Sequence, residues 1–180
     1  MKIVAVLGSP REQSASSAIV NEILNSAAKN GHVFVVYEPS KMNVKGCRAC
    51  GECKKHGVDC VQNDDLAEYW KNLHEADVLI VSSPNYHANI CGPMISFLNR
   101  HYCLRTADRT LRLKSGVKLI GVFSQGNTDI HGYDNAYNWF LSRFTAYGME
   151  LIDTIVHTEN MPVTKDSEIM KRARELGQKL

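Results

Sequence analysis

Met1-Lys2-Ile3-Val4-Ala5-Val6-Leu7-Gly8-Ser9-Pro10-Arg11-Glu12-Gln13-Ser14-Ala15-Ser16-Ser17 is the stretch that decides the fold. Its first half is a short apolar run without polar alternation, the pattern of a parallel strand buried on both faces. Gly8 and Pro10 then break the chain, and serines follow where a helix could be capped. Residues 15–29 continue with apolar positions at helical spacing. Strand, polar turn and helix form the opening unit of a β-α-β fold.

The same unit recurs down the chain. Apolar runs stand at 3–7, 33–37, 78–81, 117–123 and 151–156. Helical spacing covers 15–29, 64–75, 92–106 and 135–147, with a charged closing segment at 165–180. A β-α pair repeated five times predicts a doubly wound α/β sheet. Asn30-Gly31, Pro93 and Gly148 punctuate the elements, and Asp64-Asp65 is expected to cap the second helix. No repeat or linker divides residues 1–180, which are expected to form one domain. The long irregular stretch at 39–63 contains a cysteine-rich loop at about 44–63, and loops of that length usually carry function.

A hydrophobic content of 44% supports a packed core, and a net charge of +2 offers no field for nucleic acid. No apolar run approaches the roughly 20 residues of a membrane span, and the N-terminal run is too short for a signal peptide. These features predict a soluble, cytoplasmic protein with neither nucleic acid nor membrane as partner.

In open α/β sheets the ligand crevice lies beyond the carboxyl ends of the strands, so the loops there come first. The loop 8–17 suits a terminal phosphate. Helix N–H groups and serine hydroxyls would donate, and Arg11 could add charge. It lacks the glycine spacing of a dinucleotide fingerprint and the Gly-Lys-Ser ending of a P-loop. Ser14, Ser16 or Ser17 could equally be a helix cap. The loop after the third strand, Ser82-Ser83-Pro84-Asn85-Tyr86-His87-Ala88-Asn89, offers a rigid backbone along which a planar ring could lie. The loop after the fourth strand, Ser124-Gln125-Gly126-Asn127-Thr128-Asp129, leaves room for close backbone approach at Gly126. Each loop alone is an ordinary turn, but their positions after the first, third and fourth strands bring them to one crevice.

Gly8-Ser9-Pro10-Arg11 with Ser14-Ala15-Ser16-Ser17, Ser83-Pro84-Asn85-Tyr86 and Gln125-Gly126-Asn127 together resemble the flavin loops of the NAD(P)H-dependent FMN reductase superfamily. The resemblance implies a flavodoxin-like three-layer sandwich with a five-stranded parallel sheet of order 2-1-3-4-5. It implies FMN, with the phosphate gripped by the first loop at Ser9, Arg11, Ser14, Ser16 and Ser17. Ser83, Pro84, Asn85, Tyr86, Gln125, Gly126 and Asn127 would border the isoalloxazine ring.

Cys47, Cys50, Cys53 and Cys60 follow the pattern C-x2-C-x2-C-x6-C, while Cys91 and Cys103 look ordinary. Three thiolates at two-residue gaps can wrap one corner of an iron–sulfur cubane, and a fourth can arrive from a short loop. Zinc sites more often pair cysteines across a longer segment, so the spacing favours iron–sulfur over zinc. A loop of metal-free cysteines is the third reading. The complete segment resembles that of the iron–sulfur flavoproteins. That resemblance implies a 4Fe-4S cluster beside FMN, ferredoxin as electron donor, a small-molecule two-electron acceptor and a homo-oligomer, dimer or tetramer. The chemistry would reside in the cofactors, with no catalytic side chain. The alternatives are a cluster-free NAD(P)H-dependent flavin or quinone reductase, a non-catalytic flavodoxin-like carrier and a zinc-stapled binding domain.

Of the seven histidines, His56 and His87 lie nearest the candidate chemistry, and each reads as a surface or hydrogen-bonded residue rather than a ligand. Tyr133, Tyr137, Trp139, Phe140, Phe144 and Tyr147 read as core or, by preference, a subunit contact. The charges of the last helix read as a solvated face.

Overall fold

The computed structural model describes residues 1–180. Along the chain run β1 (Lys2–Leu7), α1 (Ala15–Lys29), β2 (Val33–Tyr37), the short α2 (Glu52–His56) and α3 (Ala67–Glu75). Then come β3 (Val78–Tyr86), β4 (Asn89–Ile90) and α4 (Gly92–Arg100), which tightens into a 3-10 turn at His101–Leu104. The chain closes with β5 (Lys118–Gln125), α5 (Asp134–Thr145), β6 (Glu150–Thr158) and α6 (Glu168–Lys179). The long strands form one parallel sheet in the order β2-β1-β3-β5-β6, and β4 pairs antiparallel with β3. Counting the long strands alone, this is the expected flavodoxin-like order.

Two apolar layers sandwich the sheet because successive side chains of a strand point to opposite faces. Val4, Val6, Leu79 and Val81 pack against α3, α4 and α5 on one side. Ile3, Ala5, Ile80 and Val122 pack against α1 and α6 on the other. Burial on both faces holds for the inner strands but fails at the edges. Val33 of β2 is 64% exposed, and Leu151 and Ile152 of β6 are exposed as well. Ile152 falls where the β5–β6 register slips between Leu119 and Ile120, so it is a bulge residue.

Several boundaries differ from the sequence-based expectation for physical reasons. β3 runs on to Tyr86 instead of turning after Val81, since Pro84 is accommodated opposite Ser124 and β4 folds back to pair with its end. The expected capping of the second helix by Asp64-Asp65 does not occur. Asp65 accepts from the Asn43 N–H at 2.6 Å, Asp64 divides its carboxylate between Arg100 and the Leu66 N–H at 3.2 Å, which shapes the turn before the helix, and α3 starts only at Ala67 with Leu66 as its cap residue. Tyr137, Phe140 and Phe144 are core residues, and Trp139 alone of that helix's aromatics is exposed. The charges of α6 do more than face water. Arg174 meets Glu22 of α1 at 2.6 Å and Arg172 meets Asp153 of β6 at 2.7 Å. Gly177 lets α6 touch α1, because a Cβ there would stand 2.3 Å from the Ile23 carbonyl oxygen.

Beneath α4 lies a polar node. His101, fully buried, donates from Nδ1 to the Phe97 carbonyl at 3.0 Å, and its Nε2 accepts from the Tyr69 hydroxyl at 2.7 Å. Burial pulls its pKa down to about 4, below the ordinary value near 6.5. The unfolded chain therefore binds a proton there that the folded chain refuses, so stability is full above about pH 6.5 and falls as pH drops toward 4. His101→Gln is expected to flatten that part of the stability curve, measured by urea denaturation across pH.

Candidate functional site

The loop after β1 is shaped by close packing. Gly8 donates its N–H to the Ser82 carbonyl at 3.0 Å and accepts from Cys91 Sγ at 3.2 Å. A Cβ on Gly8 would lie 2.5 Å from that same Ser82 oxygen and 2.3 Å from Met94 Cγ. The expected tight turn is thus a close approach of β1 to β3 and α4. Ser9 is buried and its Oγ accepts the Arg11 N–H at 3.2 Å, which curls the loop. Ser14 is the N-cap of α1, accepting from the Ser17 N–H at 3.1 Å and donating to Ser17 Oγ at 2.8 Å. Ser16 is buried in the body of the helix.

Ser9, Arg11, Ser14, Pro84, Asn85, Tyr86, Gln125 and Gly126 line a single cleft of about 380 Å³ at the carboxyl ends of β1, β3 and β5. Ser17 borders an adjoining hollow of about 480 Å³ at the N-terminus of α1. Ser16, Ser83 and Asn127 line neither. Ser83 Oγ is spent locally, accepting from the Cys91 N–H at 3.1 Å and donating to the Pro84 carbonyl at 2.7 Å. Asn127 Oδ1 accepts from the Asp129 N–H at 3.0 Å and shapes its own turn. Gln125 borders the cleft, but its amide is engaged. It donates to the carbonyls of Asn127 and Asp129 and accepts from the Tyr137 hydroxyl at 2.9 Å. Gly126 is open toward the cleft, with nothing but the Glu159 carboxylate within 4 Å of a Cβ placed there.

Sequence reasoning missed four polar side chains of the cleft: Gln13, Ser124, His157 and Glu159. The last two come from the end of β6, which no loop motif flagged. His87 and Ala88 both take positive φ, at 52° and 61°, in the two-residue turn between β3 and β4. That pair of left-handed residues matches a type I′ hairpin, unusual without Asn or Gly. The turn holds Tyr86, 37% exposed, at the cleft's rim.

A flavin mononucleotide fits this cleft on two counts. The cleft reaches the N-terminus of α1, where the Ser9 hydroxyl has a proton to donate. Only three buried side-chain polar atoms in the molecule lack a hydrogen-bond partner, and two of them, Asn85 Nδ2 and His157 Nδ1, belong to residues of this cleft. Such atoms are costly unless a ligand or water meets them.

The cysteine segment is pinned firmly at one end. Arg100 of α4 is fully buried, ion-paired with Asp64, and donates from Nε to Cys60 Sγ at 3.2 Å and from Nη1 to the Lys45 carbonyl at 2.9 Å. Asp59 meets Arg112 at 2.7 Å and His74 at 2.9 Å. Lys54 lies over the Tyr102 ring at 4.0 Å. Cys53 is buried, and Cys103 is buried among the same groups with its thiol pushed up to about 12. Cys47 and Cys50, by contrast, are exposed on a turn where Ala49 and Gly51 take positive φ. All six cysteines are free thiols. The donor set has the composition of a cluster site, but as folded no three His, Cys, Asp or Glu side chains converge into a metal-holding group. Ligation by all four would require the 47–51 turn to close onto Cys53 and Cys60.

Comparison with known proteins agrees with this geometry. Residues 1–142 match the NADPH-dependent FMN reductase family. An iron–sulfur flavoprotein from Archaeoglobus fulgidus is 29% identical over the whole chain, spanning 79% of the relative. Another from Methanosarcina thermophila is 26% identical over the whole chain and 93% of its own length. The fold is that of an NAD(P)H:quinone oxidoreductase from Methanothermobacter marburgensis, with a TM-score of 0.79 at 16% identity over 99% of this chain and 98% of the other. This is an FMN-dependent oxidoreductase with flavodoxin-like architecture. By the match over most of its length, with the flavin-sized cleft at the expected strand ends, the chain belongs to the NADPH-dependent FMN reductase family.

Proposed function

We propose that the chain holds FMN in the cleft between the β1, β3 and β5 loops and a 4Fe-4S cluster on Cys47, Cys50, Cys53 and Cys60. It would take electrons from a one-electron carrier of the ferredoxin type and deliver them to a small two-electron acceptor. The observation that carries the flavin part is the union of three sequence-distant loops in one cleft with unpartnered polar atoms. The cluster part rests on four cysteines within 14 residues and on relatives named iron–sulfur flavoproteins. When bound, the cluster would pass single electrons and the flavin would store two. The chain's own residues place these groups. The α1 N-terminus and Ser9 would hold the phosphate, the β3–β4 hairpin would border the ring, and Arg100 would fix Cys60.

Protein purified without oxygen is expected to be brown and to contain about four iron and four sulfide per flavin. Zinc in place of iron, or no metal retained after reconstitution with iron and sulfide, would remove the cluster. A cluster-free reductase drawing on NAD(P)H is the second reading, favoured by the lack of any three side chains gathered into a metal-holding group. Its signature is rapid flavin bleaching by NADPH in iron-free protein. We further propose that the protein is a cytoplasmic homo-oligomer, with the exposed cysteine turn completed at a subunit boundary. Light scattering of the reconstituted and iron-free forms tests that part, and a monomer in both would refute it.

A further inference from the structure

His157 stands at the end of β6, separated from β1 by two strands of the sheet, yet it lines both the cleft and the adjoining hollow at the α1 N-terminus. It is 91% buried, with a relative exposure of 9%. Its Nε2 lies 2.9 Å from the Met161 carbonyl oxygen, which can only accept, so the ring proton resides on Nε2. That leaves Nδ1 buried, fixed in direction and without a partner. Met161 thus sets the tautomer, and the other nitrogen is left for something absent from the polypeptide.

We infer that His157 is a selectivity residue for the phosphorylated flavin: its Nδ1 takes up a proton as FMN binds and donates to the phosphate at the N-terminus of α1. This rests on the FMN reading above and adds a ligand from the far side of the site, where no sequence motif lies. Two observations support it. Ser14, the α1 cap, borders the same two hollows as His157, so the imidazole and the helix N-terminus face one volume. An anion there gains from both a cation and the helix dipole. The other charged groups lining the hollows are Arg11 and Glu12 from the β1 loop and Glu159 beyond β6. Arg11 is exposed, so His157 is the buried group able to supply positive charge and to offset the two carboxylates that line the same hollows.

His157→Gln keeps a donor for the Met161 carbonyl and removes Nδ1, whereas His157→Asn keeps a donor near Nδ1 and gives up the tether. Flavin fluorescence titration of the apoprotein with FMN and with riboflavin reads the difference. The Gln variant is expected to bind FMN about tenfold to a hundredfold more weakly, the range of a lost charge-assisted hydrogen bond. Riboflavin affinity should stay within about twofold, and the Asn variant should fall between. Equal weakening of both flavins, or no change for FMN, would overturn the inference. Long-range nitrogen NMR on the wild-type protein gives an answer independent of any variant. Nδ1 should move from a lone-pair to a protonated shift on adding FMN and should not move on adding riboflavin, and an unchanged Nδ1 overturns the inference. Failure of the wild-type protein to bind either flavin would instead refute the FMN reading itself.

Discussion

Asp64→Ala is expected to lower stability by about 3–5 kcal/mol in urea denaturation of the iron-free protein, since it strands a charge in the interior. Arg100 has no exposed side-chain surface and Asp64 almost none. Removing the carboxylate leaves a guanidinium with only a carbonyl and a thiol as partners. The attraction inside the pair is not the relevant quantity, because burying both charges already cost much of it. What the substitution exposes is that desolvation cost. Arg100→Met combined with Asp64→Leu should therefore recover most of the loss, since no charge then remains unpaired. A loss below about 1 kcal/mol, the level of an exposed pair, would show that water reaches the site. The double variant, which lacks the guanidinium, should free Cys60, so its reaction with a thiol reagent should quicken relative to that of exposed Cys50.

Gly8→Ala should abolish FMN retention and cost about 2–3 kcal/mol, toward the upper end for overpacking. Two obstacles meet the added methyl, and they differ in kind. Met94 could swing aside, but the Ser82 oxygen belongs to the central strand of the sheet, which cannot yield without parting β1 from β3. Met94→Ala in the same chain should therefore rescue little. If the double variant regained wild-type stability and flavin binding, the backbone clash would be disproved. The effect on FMN follows from geometry. Ser9, buried at the floor of the cleft, is the next residue and moves with Gly8.

Much of the molecule was legible in one dimension because strands and helices bury regular patterns. Continuous apolar runs identified the inner strands β1, β3 and β5, and helical spacing found α1 to within a residue. Edge strands β2 and β6 read the same way although their outer faces are bare, since composition does not report how many neighbours a strand has. α2 escaped notice because five residues hold too little periodicity. The three loops that line the cleft were singled out by residue type and by the rule that ligands sit at carboxyl ends of strands. Their roles were less legible. Ser83, Ser16 and Asn127 turned out to serve the backbone or the core, and only coordinates show which way a hydroxyl or amide is spent.

Local composition and spacing set the strands and helices, the loops that line the cleft at the carboxyl ends of β1, β3 and β5, and the cysteine pattern. Tertiary structure alone decided that Arg100, 40 residues from Cys60, is the anchor of the cysteine segment, and that His157 reaches a cleft opened by the loop after β1. It also decided that Gly8 is required by contact with β3 and α4. The physical reason is shared: burial and pairing of polar groups are relations between distant segments, and they come into being only when the sheet brings those segments together.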